Sequence, residues 1–317
     1  MNKIFVFIIL STLALSCFSQ QRLPAVYSKE FRIITDNDAY LLKKKDGYYT
    51  NGIFLQYNWA GKNSSVKKVR SIEVGQKMFT SRNRFMNSLS EYDRPFAGYL
   101  FAKFQETRFE KSGTAVRWSI ALGTIGPNAL AKQLQTGYHK FISIYKTHGW
   151  EIQVNNELAL NTSFTWSPVL LEPKTNKELF AIKPVLTANL GNTFTTAEIG
   201  NIFQFGLFEK NENSALLNAS VQTAHGKNKL NFELFAFFHP QLVMTAYNAT
   251  VQGPLFRSDK GPFISDPYRF LYRHRLGFVY VHKRISMGGD FVFETKEARS
   301  QKAFQRYGAV HMGYRFN

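Results

Sequence analysis

Three clusters of polar residues in this 317-residue chain have the types and spacing to do chemistry. The first is Asp36-Asn37-Asp38. Two carboxylates and an amide oxygen are hard donors of the kind calcium takes, although Asp and Asn are also ordinary strand-end residues. The second, Tyr48-Tyr49-Thr50-Asn51-Gly52, offers a hydroxyl beside a glycine; such a glycine also serves simply to let backbones approach. The third is the stretch from Gly126 to Trp150. Leu130, Leu134, Tyr138, Phe141 and Tyr145 recur there at helical spacing, while Asn128, Gln135 and His139 fall on another face. Of the seven histidines, His139 alone combines a rim location with polar partners at helical spacing, which makes it the candidate general base, with a plain surface histidine as the rival reading. No Gly-x-Ser-x-Gly elbow, HExxH or P-loop is present. A His base activating water beside a cation needs none of them.

The elements that must position these residues are strands. In 51–59, Ile53, Leu55, Tyr57 and Trp59 oppose Gly52, Phe54, Gln56 and Asn58; 115–123 and the C-terminal Val310, Met312, Tyr314 and Phe316 alternate in the same way. About twelve such segments can be marked: 30–38, 50–60, 69–78, 97–109, 114–123, 150–167, 178–190, 194–207, 229–247, 268–283, 287–297 and 305–316. Segment 208–228 reads as an irregular excursion. The fold class expected is all-β, an antiparallel transmembrane barrel with a short helix in one long extracellular loop. An even count puts both termini in the periplasm and 39–49, 79–96 and 124–149 on the extracellular rim. Strand parity then sends Asp36 and Asp38 toward the lumen, with Thr50 and Gly52 beside them across the hairpin. An amphipathic helix capping the barrel rim would aim His139 at the lumen mouth or the membrane interface.

Composition supports a barrel. Aromatics reach 15% (Phe 30, Tyr 15), yet mean hydropathy is slightly negative and no segment after the leader approaches a helical membrane span. Lys3, the apolar run 4–15 and Ser16–Gln20 have the layout of a signal peptide, giving a leader 1–20 and a barrel domain 21–317. Acylation of Cys17, the single cysteine, is the competing reading. The formal charge is +18, and the three rim loops hold nine basic residues against three acidic ones. On an exported protein this favours anionic lipid or glycan over nucleic acid, unless it is simply a solvated rim.

Five blocks in this order resemble the outer-membrane lipid A 3′-O-deacylase family, LpxR. They are Asp36-Asn37-Asp38; Asp46-Gly47-Tyr48-Tyr49-Thr50-Asn51-Gly52; Asp93-Arg94-Pro95-Phe96-Ala97-Gly98-Tyr99; Ile125-Gly126-Pro127-Asn128-Ala129 with Gln135 and His139; and Gly149-Trp150 with Gln153, Asn156 and Glu157. The resemblance implies a twelve-stranded barrel in the bacterial outer membrane and calcium-dependent hydrolysis of the ester that carries the 3′ acyloxyacyl chain. It makes His139 the general base and Thr50 a positioning residue, with the Asp36-Asn37-Asp38 tripeptide, Asp36 and Asp38 foremost, holding calcium. Arg84, Arg94 and Gln135 would meet the substrate. Family members read Asn-Asp-Asp where this chain reads Asp-Asn-Asp. An ungapped match therefore puts Asn37 at an essential Asp position, whereas inward parity ranks Asp38 above Asn37. The expected partner is lipid A, and the expected state a monomer. A non-enzymatic channel or lipopolysaccharide-binding barrel, or a hydrolase acting on phospholipid, remain the alternatives.

Overall fold

The computed structural model describes residues 26–41, 47–61, 66–82, 88–143, 148–172, 179–223 and 230–317; the expected signal segment and Cys17 lie outside these. Twelve antiparallel strands close into one barrel in which each pairs with its neighbour in sequence and β1 closes on β12. They are β1 (Lys29–Asn37), β2 (Tyr48–Ala60), β3 (Lys67–Thr80), β4 (Ala97–Phe109), β5 (Ala115–Ile125), β6 (Glu157–Ser167), β7 (Phe180–Gly191), β8 (Phe194–Leu207), β9 (Phe232–Asn248), β10 (Phe270–His282), β11 (Ile285–Glu294) and β12 (Gln305–Phe316). Closure runs from Lys29↔Phe316 to Asn37↔Gly308, so no sheet edge is left open. Among the described residues the α-helices are α1 (Ala131–Phe141) and the single turn α2 (Ala249–Gln252). No helix among the described residues is long and apolar enough to cross a membrane; here the strands do so.

Alternation decides which side chain meets lipid. Phe31 and Ile33 on β1, Ile53 and Leu55 on β2, Trp118, Ile120 and Leu122 on β5, and Val310, Met312 and Tyr314 on β12 are exposed outward, as their spacing predicts. Tyr57, Trp59, Phe104, Trp118 and Phe316 make ring contacts with one another in a girdle toward the end that carries the termini. The turn 110–113 at that end is tight, with the Gly113 amide bonded to the Glu110 carbonyl at 2.9 Å. The long connections β1–β2, β3–β4, β5–β6 and β9–β10 lie at the opposite, extracellular end.

One expectation is corrected, and one segment left open is given its place. Segment 150–167 is not one strand, because Gly149 adopts a left-handed φ of 96° and turns the chain into a 3₁₀ turn, Trp150–Ile152, before β6 begins at Glu157. Segment 208–228, as far as it is described, enters the barrel from the end that carries the termini. Ala219 and Val221 pack on Val69, Phe109 and Ala115. The buried Glu233 carboxylate accepts the Glu209 and Ala215 amides at 3.0 and 2.9 Å. Above this plug the lumen holds a polar cavity of about 740 Å³. Some of its charges pair between strands: Lys103 with Glu73 at 2.7 Å, Arg275 with Asp290, and Arg273 with both Glu294 and Glu198.

Candidate active site on the outer wall

The helix α1 lies on the outside of the barrel, against β3 and β4. It is amphipathic in the reverse of the usual sense. Ala131, Gln135 and His139, spaced four apart, are its buried residues. Leu134, Tyr138 and Phe141 are 44%, 53% and 85% exposed and face away from the protein. A soluble protein buries the apolar stripe of a surface helix; a helix lying in the lipid interface turns that stripe outward. Polar Gln135 and His139 are thereby pressed toward the wall. His139, expected to face the lumen mouth or the membrane interface, is instead buried on the side of α1 opposite Leu134, Tyr138 and Phe141.

The start of α1 is fixed by small residues. A Cβ on Gly98 would lie 2.7 Å from the Cβ of Ala131, so only glycine lets the helix sit this close to β4. At Gly126 φ is 87° and a Cβ would meet the Asn155 backbone at 2.7 Å. Beneath the helix, Met78, Phe96, Ala131, Trp150 and Ile152 form a small apolar cluster. Trp150 Nε1 donates to Gln135 Oε1 at 2.7 Å, and Gln76 Nε2 donates to the Ala129 carbonyl. Gln135, expected to touch substrate, thus has its carbonyl oxygen committed to orienting the helix.

Thr50 belongs to the outer wall and not to the lumen. The β2–β3 register shifts between Tyr49 and Asn51, which leaves Thr50 as the extra residue of a β-bulge. A bulge breaks strict alternation. Tyr49 accordingly lines the lumen cavity together with Phe54, whereas Thr50 does not. Thr50 Oγ1 instead meets Thr80 Oγ1 at 2.6 Å, and both are buried. Thr80 ends the outward face of β3, which reads Ile72, Val74, Gln76, Met78, Thr80. Its polar members at the extracellular end are the signal that sequence reasoning missed.

The Asp36-Asn37-Asp38 tripeptide is divided by the wall. Asp36 faces the lumen, where its Oδ2 accepts the Tyr49 hydroxyl at 2.7 Å. Asn37 takes the opposite parity, and its Oδ1 accepts the Ala39 amide at 2.7 Å. Asp38 opens a 3₁₀ turn, is 3% exposed, and through Oδ2 accepts the Gly47 amide at 2.7 Å. The expectation that Asp36, Asp38, Thr50 and Gly52 converge in the lumen is therefore replaced: of these, Asp36 and Gly52 turn inward. No cluster of three or more His, Cys, Asp or Glu side chains suited to a metal occurs among the described residues.

Asp93 ties the rim together. Its Oδ2 accepts the Tyr48 hydroxyl at 2.8 Å, and its Oδ1 accepts the Ser81 hydroxyl and the Arg82 amide at 2.5 and 3.0 Å. The Tyr48 oxygen in turn accepts the Lys302 and Ala303 amides at 3.1 and 3.0 Å. These bonds hold Tyr48 at a positive φ of 70°, just before Thr50. The side chain of Arg82 packs at 3.1 Å over the Cβ position of Gly47, which links the Asp38 turn to the end of β3. Arg94, expected to meet substrate, is fully buried. It pairs with Glu297 at 2.9 Å, bonds Thr250 Oγ1 at 2.9 Å and lies 4.3 Å from the Phe79 ring centroid. Arg84 lies outside the described residues. Of the basic rim, Arg82, Lys132 and Lys140 are exposed.

Comparison with known proteins agrees with this architecture. The solved LpxR from Salmonella typhimurium superposes with a TM-score of 0.75 at 18% identity, over 90% of this chain and all of that one. The β-domain of the Bordetella autotransporter BrkA (TM-score 0.47, 8% identity, 92% and 99% coverage) and the NalP translocator of Neisseria meningitidis (0.43, 10%, 98% and 94%) are more weakly similar. No curated protein matches the sequence. The family model described as "Outer membrane protein LpxR" matches residues 4–316. With that match running almost end to end, the chain belongs to the LpxR family and is an outer-membrane β-barrel.

Proposed function

We propose that this protein is a lipid A 3′-O-deacylase whose site lies between the outer wall and α1, open to the outer leaflet. The observation that carries the proposal is the inverted helix: His139 is buried toward the barrel while the apolar side of α1 faces lipid. A lipid substrate reaches such a site without leaving the membrane. Lys132, Lys140 and Arg82 place positive charge at the rim, where the lipid A phosphates stand.

In this reading His139 takes a proton from water as the water oxygen attacks the ester carbonyl. The tetrahedral intermediate then expels the 3′ oxygen of the sugar, which recovers the proton from the imidazolium. The products are the free acyloxyacyl acid and the 3′-hydroxyl. Thr50, held by Thr80, positions the water or the ester. Gln135 sets the rotation of α1 through Trp150. Arg94 supports the wall rather than touching substrate, and Arg84 remains assigned to a phosphate or sugar.

Asp36 and Asp38 do not fit a shared calcium site, because the Asp36 carboxylate is turned into the lumen and bonded to Tyr49. Asp38, with the Asn37 amide beside it in sequence, fits as an anchor that water would complete. Calcium bound there would polarise the ester carbonyl. A channel is supported less well, since segment 208–223 packs into the barrel from the end that carries the termini.

Mass spectrometry of lipid A from cells expressing the protein tests the proposal. Loss of the 3′ acyloxyacyl chain with wild type, and its retention with His139→Ala, are the expected results. Unchanged lipid A with folded wild-type protein in calcium would overturn it. Glycerophospholipid offered in detergent should remain intact.

A further inference from the structure

Asn156 and Glu157 belong to a sequence block that the proposed reaction does not use. They join α1's approach to the connection between β9 and β10. The Glu157 carboxylate accepts the Leu255 amide at 3.0 Å, the Phe256 amide at 2.7 Å and Asn192 Nδ2 at 2.9 Å. The Asn156 carbonyl accepts Arg257 Nη1 at 3.0 Å, and its Oδ1 accepts the Asn128 amide at 2.6 Å. The Asn155 amide adds a bond to the Lys260 carbonyl at 3.1 Å. Bonds to a carboxylate are stronger than those between neutral groups, so the tip of this loop is held by its backbone.

What the clamp presents is apolar. Phe256 is 80% exposed, Leu255 is also exposed, and Leu158, beside Glu157 on the wall, is 84% exposed. Burying such side chains is favourable, and a water-facing loop would forgo that gain. The patch continues into the lipid-facing belt through Leu158, Leu160 and Leu122, and Asn128 links it to the approach to α1. Arg257 and Lys260 lie directly after it, in the order of an interfacial anchor with cations at the headgroups.

We propose that Leu255 and Phe256 form a second membrane-inserting element, seated among the outer-leaflet acyl chains beside α1 and held in place by Glu157. The inference needs the outer-membrane location, not the deacylase activity. It is tested on full-length barrel in phospholipid vesicles containing lipid A. Cys17 is replaced by Ser, and single nitroxide labels are placed at Phe256→Cys, Ser258→Cys and, as the lipid-facing reference, Leu122→Cys. Accessibility to dissolved oxygen and to an aqueous nickel chelate is read by electron paramagnetic resonance. The label at 256 should match that at 122, favouring oxygen several-fold, while 258 favours nickel. Adding Glu157→Gln should move 256 toward nickel. Nickel access at 256 equal to that at 258 overturns the proposal. Protection at 256 from both reagents also overturns it, in favour of a protein contact such as a second copy. An unchanged reading with Glu157→Gln overturns the role of the clamp. None of these readings requires turnover, so their failure is separable from failure of the proposed reaction.

Discussion

The lumen and the outer wall beneath α1 both bury polar side chains, but they satisfy them differently. In the lumen, Arg273, Arg275 and Lys103 each have carboxylate partners on neighbouring strands. Such pairs tie strands of the barrel to one another. On the outer wall the buried polar residues are hydroxyls, amides and one imidazole: Thr50, Thr80, Gln76, Gln135 and His139. They interrupt a surface that otherwise meets lipid. A barrel requires a polar interior and an apolar belt, so the lumen charges are accounted for by the fold. A polar patch on the lipid side is not, and it is there that function is to be sought.

Mutations on the two sides should separate accordingly. The largest expected effect is that of His139→Ala. Removing a general base costs about a hundred- to ten-thousand-fold in rate, while the barrel should keep its heat-modifiable migration in electrophoresis. An equal loss from Arg273→Ala with the barrel still folded would break the comparison. Next, Arg94→Ala leaves Glu297 buried without its cation and should lower stability by about 3–5 kcal/mol, read as a drop in the unfolding midpoint in detergent. Thr50→Ala removes one hydrogen bond worth ~1 kcal/mol. It should slow deacylation by about fivefold, with Thr50→Ser restoring most of the rate. The smallest effect is expected of Asp36→Asn, which faces the lumen and should leave both rate and calcium dependence near wild type, whereas Asp38→Asn should weaken the calcium dependence. If Asp36 proves the more damaging of the two, the site belongs on the lumen side after all.

The sequence carried the fold further than the site. Alternation along 51–59, 115–123 and 309–316 was enough to assign lipid-facing side chains, because a membrane strand has only two faces and one must be apolar. It misplaced the beginning of β6 because Gly149 and the buried Trp150 make a turn whose pattern reads like strand. The same rule of two faces misled the reading of Thr50. A single extra residue reverses parity, and nothing in Tyr48-Tyr49-Thr50 announces the bulge; the left-handed Tyr48 and the Asp93 hub that fix it come from residues far away in sequence.

Gln135 and His139 were legible as one helical face, since four-residue spacing determines that by itself. Which way the face points was not. That depended on Gly98 and Ala131 bringing α1 against the wall and on lipid, not water, receiving Leu134, Tyr138 and Phe141. Arg94 looked like a cation free for phosphate until Glu297, two hundred residues later, took it. Local spacing determined the strands, their lipid faces and the helical stripe of this protein. Tertiary structure alone decided which side of the wall each polar residue serves, because bulges, turns and long-range partners act across distances that periodicity does not see.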